Sequence, residues 1–176
     1  GSGRQSMNRS FNQWKFVNTY GAFGYVGEVR DEMVIKGTRG DVVAPDEEWL
    51  EYEFAVKPGS VTRRLPVIVP YHHRLDWCIW ISTLRSPEAT PWLKTCLLKL
   101  LQNDVPTTRL LADGGRGNPF AHDGGGPPKY LKVERYRYSF VHPRSDTTAA
   151  TGAVWTREKL GPYFPRQPIF SAAMFE

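Results

Sequence analysis

The chain is poor in the residues that most directly advertise chemistry. Among 176 residues there are two cysteines, three methionines and four histidines. Two cysteines, Cys78 and Cys96, are too few for a disulfide framework or a zinc cluster of the usual kind. Both lie among apolar residues in helix-like patterns and read as small buried hydrophobes, with a disulfide between neighbouring helices as the minority reading. No apolar run approaches the roughly 18 residues that a membrane span needs, and no secretory signal is evident. There is no internal repeat. A Gly-x-Ser-x-Gly elbow is missing, so an ester hydrolase finds no nucleophile. His72, His73, His122 and His142 do not form the i, i+4 helical pair of a metalloprotease. The glycines of Tyr20-Gly-Ala-Phe-Gly-Tyr-Val-Gly are followed by neither a lysine-serine pair nor a helix pattern, so they do not read as a phosphate loop.

What is present is aromatic and mildly basic. Six tryptophans, eight tyrosines and nine phenylalanines accompany a net charge of +5. That charge permits anionic partners without demanding them. The length suits one domain with a real core. Strand patterns cover Gln13–Asn18, Tyr20–Gly27 and Asp31–Gly37. In Trp49–Val56, Leu50, Tyr52, Phe54 and Val56 share one face, with Glu51 and Glu53 on a solvated one. Lys129–Val141 is a long strand with Tyr136, Tyr138 and Phe140 opposite Arg135 and Arg137. Aromatics beside arginines also suit a base-stacking sheet. The ribonucleoprotein consensus is missing, however, and no nucleic acid is expected as a partner. Val154–Lys159 is a short last strand, after which Pro162, Pro165 and Pro168 should forbid regular structure. Thr90 and Pro91 open a helix whose stripe is Leu93, Leu97, Leu100 and Leu101. Asp113–Pro128 reads as a long glycine-rich loop. The expected fold is α+β: a mostly antiparallel β-sheet or sandwich with an inserted two-helix segment.

The stretch that organises the rest is Val69-Pro-Tyr-His-His-Arg-Leu-Asp-Trp. The run Leu65–Val69 is strand-like and stops at Pro70. A helix pattern follows in which Trp77, Trp80, Ile81 and Leu84 fall on one face. Two tryptophans on so short a face are expected to be buried. Asp76 near the start suits the positive end of the helix dipole. Tyr71, His73, Arg74, Asp76 and Trp77 are therefore expected to be a structural corner. A proton relay or half a metal site at His73 and Asp76 is the weaker reading.

This corner resembles the Pro-Tyr-His-x-Arg-Leu-Asp-Trp motif of the lipase maturation factor family. Four further segments are similar and in the same order: Val17-Asn-Thr-Tyr-Gly-Ala-Phe-Gly, Glu51-Tyr-Glu-Phe-Ala-Val-Lys-Pro-Gly, Tyr136-Arg-Tyr-Ser-Phe, and Trp155-Thr-Arg-Glu-Lys-Leu-Gly-Pro-Tyr-Phe-Pro. Asn118-Pro-Phe is a sixth. The resemblance covers residues 13–165, between an N-terminal extension or tag (1–12) and an extended tail (166–176). It implies the C-terminal soluble domain alone, without the membrane region that full members carry ahead of it. It further implies a non-enzymatic interaction module in the endoplasmic reticulum lumen, contacting client lipases, with no cofactor, catalytic residue or metal. The alternative is an accessory subunit of a large organellar membrane complex, such as a mitochondrial one. Arg63, Arg64, Arg116, Pro162, Pro165 and Pro168 are the expected partner contacts.

Overall fold

The computed structural model describes residues 13–14, 29–41, 45–64, 66–68, 72–121, 124–141, 151–164 and 171. The chain divides into two compact units, residues 1–30 and 31–176. Few residues of the first are described, so the expected strands at 13–18 and 20–27 lie largely outside the described residues. The second unit is an α+β fold on a four-stranded sheet of order β2-β1-β3-β4. The strands are β1 (Arg30–Thr38), β2 (Leu50–Glu51), β3 (Tyr130–Phe140) and β4 (Trp155–Phe164). The pairs β1–β2 and β3–β4 are antiparallel.

Between β2 and β3 the chain makes α1 (Arg74–Ser82), α2 (Pro91–Leu101) and two single turns, α3 (Val105–Thr108) and α4 (Ala112–Gly115). The expected two-helix insertion is therefore present. In α2 the leucine stripe is buried as its spacing predicts, with Leu93, Leu97, Leu100 and Leu101 at 5% exposure or less. Pro91 takes the first helical position, where a missing N–H loses nothing. The helices cover one sheet face, where Met33, Ile35, Leu131 and Val133 join Tyr52, Phe54, Ile79 and the α2 stripe in the main core. A second cluster on the sheet is built from Val34, Tyr136, Tyr138 and Trp155.

Three sequence expectations are corrected. The strand expected over 49–56 is two residues long. Beyond it Tyr52 still donates to Ile35 O at 2.9 Å, but Glu53 turns to the loop after α4, donating to Gly117 O at 2.8 Å and accepting from Ala112 N at 3.0 Å. Tyr52 and Phe54 reach the core from this irregular segment, while Leu50 stays exposed and Trp49 is buried instead. The last strand is long, and Pro162 lies within it, opposite Glu134. A proline is tolerated there because it sits beside a register shift in a strand at the end of the sheet order. Of the tail beyond residue 164, only residue 171 is among the described residues. Finally, the described residues form a single sheet, so the sandwich alternative is not seen among them.

Candidate functional site

The corner at α1 is built on Asp76. Its carboxylate is 1% exposed and accepts a 2.7 Å hydrogen bond from Val56 N, tying the helix start to the segment leaving β2. The second oxygen, Oδ2, is enclosed without a hydrogen-bond partner. His73 is the N-cap in extended geometry but offers no side-chain cap. It is exposed, and it makes no hydrogen bond to Asp76, so the two do not form a relay. Arg74 occupies the first helical position and is exposed. Tyr71 lies outside the described residues.

The helix turns a different face inward from the one its tryptophans predict. Its buried residues are Asp76, Ile79 and Ser82. Ile79 is fully buried in the core, and the polar pair brings its own partners: Asp76 takes the Val56 N–H, and Ser82 Oγ donates to Cys78 O at 2.8 Å. Tyr163 adds a bond to the Ser82 carbonyl at 2.6 Å. Ser82 is satisfied and so buried at little net loss, whereas Asp76 is satisfied at one oxygen only. The face opposite therefore looks outward, with Trp77 42% and Leu84 67% exposed and Trp80 and Ile81 half-buried.

Beside this face lies a groove of about 660 Å³. Its apolar walls are Leu75 and Cys78 of α1, Trp92 of α2 and Leu110, just past α3; Asp76 also borders it, and His73 and Arg74 stand at its rim. Both cysteines are free. Cys78 is half-exposed on the groove wall, whereas Cys96 is buried, and burial pushes its thiol up to about 11. The reading of both as buried hydrophobes holds for Cys96 alone.

The expected partner contacts are scattered. Arg63 is half-buried and holds the Phe54 and Ala55 carbonyls, the latter at 2.8 Å, so it braces the core edge. Arg64, Arg116 and Pro162 are exposed; Pro165 and Pro168 lie outside the described residues. Neither Arg64 nor Arg74 nor Arg116 makes an ion pair among the described residues. The tyrosines of β3 are not a base-stacking platform: Tyr136 and Tyr138 are buried, and their hydroxyls donate to Glu134 at 3.0 Å and to Gly59 O at 2.9 Å. Phe140 is exposed but stacks on Trp155 at 4.0 Å. Among the described residues no group of three or more acidic, histidine or cysteine side chains could hold a metal ion.

A buried ionic face was missed by sequence reasoning. Lys36 and Lys132 both approach Glu134, at 3.4 and 3.6 Å, and Lys159 reaches it at 2.6 Å. Lys36 also donates to Tyr136 Oη at 3.1 Å and faces Glu51, which Arg157 grips at 2.8 and 2.9 Å. Burial opposes ionisation of Glu134, but the Lys159 hydrogen bond and the charges of Lys36 and Lys132 outweigh it and hold its carboxyl below the usual value. Lys132 in turn bonds Asp46 at 2.6 Å, which lowers that carboxyl. Nearby, the fully buried Glu32 pairs with Lys57 at 3.1 Å. Every cation here is matched by an anion, so the face clasps strands rather than offering charge to a ligand. The available signal was matched lysines and glutamates at the same parity on neighbouring strands.

The family model described as the lipase maturation factor C-terminal domain matches residues 16–165. Among curated proteins, lipase maturation factor 1 of Bos taurus is 46% identical over 93% of this chain, and that of Homo sapiens is 43% identical over the same share. Lipase maturation factor 2 of Rattus norvegicus is 31% identical over 93%. The chain spans only 28% of the length of the first two and 22% of the third. No solved structure matches it.

Proposed function

Since this chain belongs to the lipase maturation factor family, matching its C-terminal domain, we propose that it is a non-catalytic interaction domain that binds secreted lipases while they fold or assemble in the endoplasmic reticulum lumen. The observation that carries this reading is the outward face of α1 and the turn after it, where Trp77 is 42% and Leu84 67% exposed and Arg74 makes no ion pair among the described residues. Exposed large apolar groups of this kind mark recognition sites, and tryptophan and arginine dominate binding hot spots. Lys36, Lys132, Lys159 and Glu134 are spent on the ionic clasp. Arg64, Arg116 and Pro162 are further contacts, all three exposed. No described helix is long and apolar enough to cross a membrane. In a full-length protein, anchoring would therefore fall to other segments.

Reactivation of a denatured secreted lipase tests the reading. Stoichiometric chain should raise the yield of active lipase above that with an inert protein, and the chain alone should hydrolyse no ester. An unchanged yield, hydrolysis by the chain, or native co-purification with a multi-subunit membrane complex instead of lipase would count against it.

A further inference from the structure

We propose that the outer edge of β4 is a strand-addition site, which takes an extended, unpaired segment of a partly folded secreted lipase as a further strand of the sheet. The proposal rests on the lipase-binding reading. It adds to the α1 face a second contact of different chemistry, main chain rather than side chain.

β4 ends the sheet order and pairs with β3 alone among the described residues. An antiparallel strand turns the main-chain groups of alternate residues to opposite edges. Two bonds fix which residues of β4 face outward. Val141 N donates to Val154 O at 3.0 Å, and Phe140 stands opposite Trp155, so the next residue, Thr156, turns its main-chain groups toward Ser139 of β3. Trp155 N donates the other way, to Val61 O at 2.9 Å. Arg157 and Lys159 follow in the same phase as Trp155, since residues 155–159 pair with 136–140 without a register shift. No bond from a described residue reaches the outward main-chain groups of Arg157 and Lys159.

Sheet edges are ordinarily guarded by charged side chains, proline or bulges. On β4 the proline and the irregularity come late, at Gly161 and Pro162. Over residues 155–159 the cations are drawn away from the edge: Arg157 grips Glu51 of β2, and Lys159 reaches Glu134 of β3 at 2.6 Å. The opposite edge, β2, is only two residues long. Outward N–H and C=O groups in ladder phase are completed by another extended backbone, whatever its side chains. A folded partner keeps its strands paired, whereas a partly folded one has strands to offer.

Amide hydrogen exchange of the whole chain, read residue by residue by NMR, tests this. In the chain alone the Thr156 and Glu158 amides should be protected, and those of Arg157 and Lys159 should exchange freely. A nine-residue peptide of alternating threonine and valine should slow Arg157 and Lys159 at least about tenfold, and its fully N-methylated counterpart should leave them unchanged. Partly folded lipase at saturation should protect the same two amides. Arg157→Pro removes one outward N–H and should weaken the peptide about tenfold in fluorescence anisotropy, with thermal melting as the control for folding. Protection of Arg157 and Lys159 in the chain alone, equal action of the two peptides, or an Arg157→Pro variant that binds like wild type overturns the proposal. Lipase bound with both amides still exchanging freely would remove the edge while sparing the lipase-binding reading. Protection by the peptide without any lipase binding would do the reverse.

Discussion

Asp76 decides how the organising corner is held. One oxygen accepts the Val56 N–H and the other is enclosed without a partner. Truncation by Asp76→Ala leaves a buried N–H unsatisfied and should lower stability by about 1–3 kcal/mol. Asp76→Asn keeps an acceptor and removes a buried charge, so it should lose clearly less. Urea unfolding of both variants measures this, and equal losses would mean that the charge matters more than the hydrogen bond. The sequence revealed Asp76 as a helix-start residue suited to the dipole, but not its bond to Val56. Its partner is 20 positions away in the chain, a distance that local pattern does not cross.

At the scale of elements, periodicity worked where one force acted alone. The leucine stripe of α2 was legible because burial of apolar groups fixed it, and β1 and β3 were legible as strands, with Tyr136 and Tyr138 of β3 buried on either side of the exposed Arg137. It failed on α1, where hydrogen bonds to Asp76 and Ser82 allow polar residues inward and leave tryptophans at the surface. It failed again on β2, which gives up sheet pairing for the Glu53–Gly117 and Ala112–Glu53 bonds. The groove could not be read from sequence at all, since its lining joins side chains from separate helices, such as Cys78 and Trp92. The ionic clasp joining β1, β3 and β4 predicts a pH profile. Glu134 and Asp46 have carboxyls below their ordinary values of 4.5 and 3.8, so the stability they contribute is present above those values and lost as pH falls through the folded ones. Lys36 is raised above 10.5: burial works against its charge, but Tyr136, Glu51 and Glu134 outweigh that, so its contribution is present below 10.5 and lost at higher pH. The melting temperature should be level between about pH 6 and 9 and fall below about pH 4.5. Glu134→Gln should lower the plateau and flatten the acid limb; an unchanged acid limb would place the responsible carboxyls elsewhere.

Across the molecule, the ionic scaffold and the proposed recognition surface of α1 fall on different elements. The sheet carries the matched charges and the core, and the helical insertion carries the exposed tryptophan, the groove and the unpaired arginine. The family model matched is that of a C-terminal domain, and the chain spans 28% of the length of the lipase maturation factor 1 relatives. The most direct measurement is the equilibrium binding of a partly folded secreted lipase to the immobilised chain by interferometry, with the native lipase as comparison. Saturable binding in the micromolar range or tighter, stronger for the partly folded form and weakened by Trp77→Ser, is the predicted result. No saturable binding, or binding indifferent to Trp77, would contradict it.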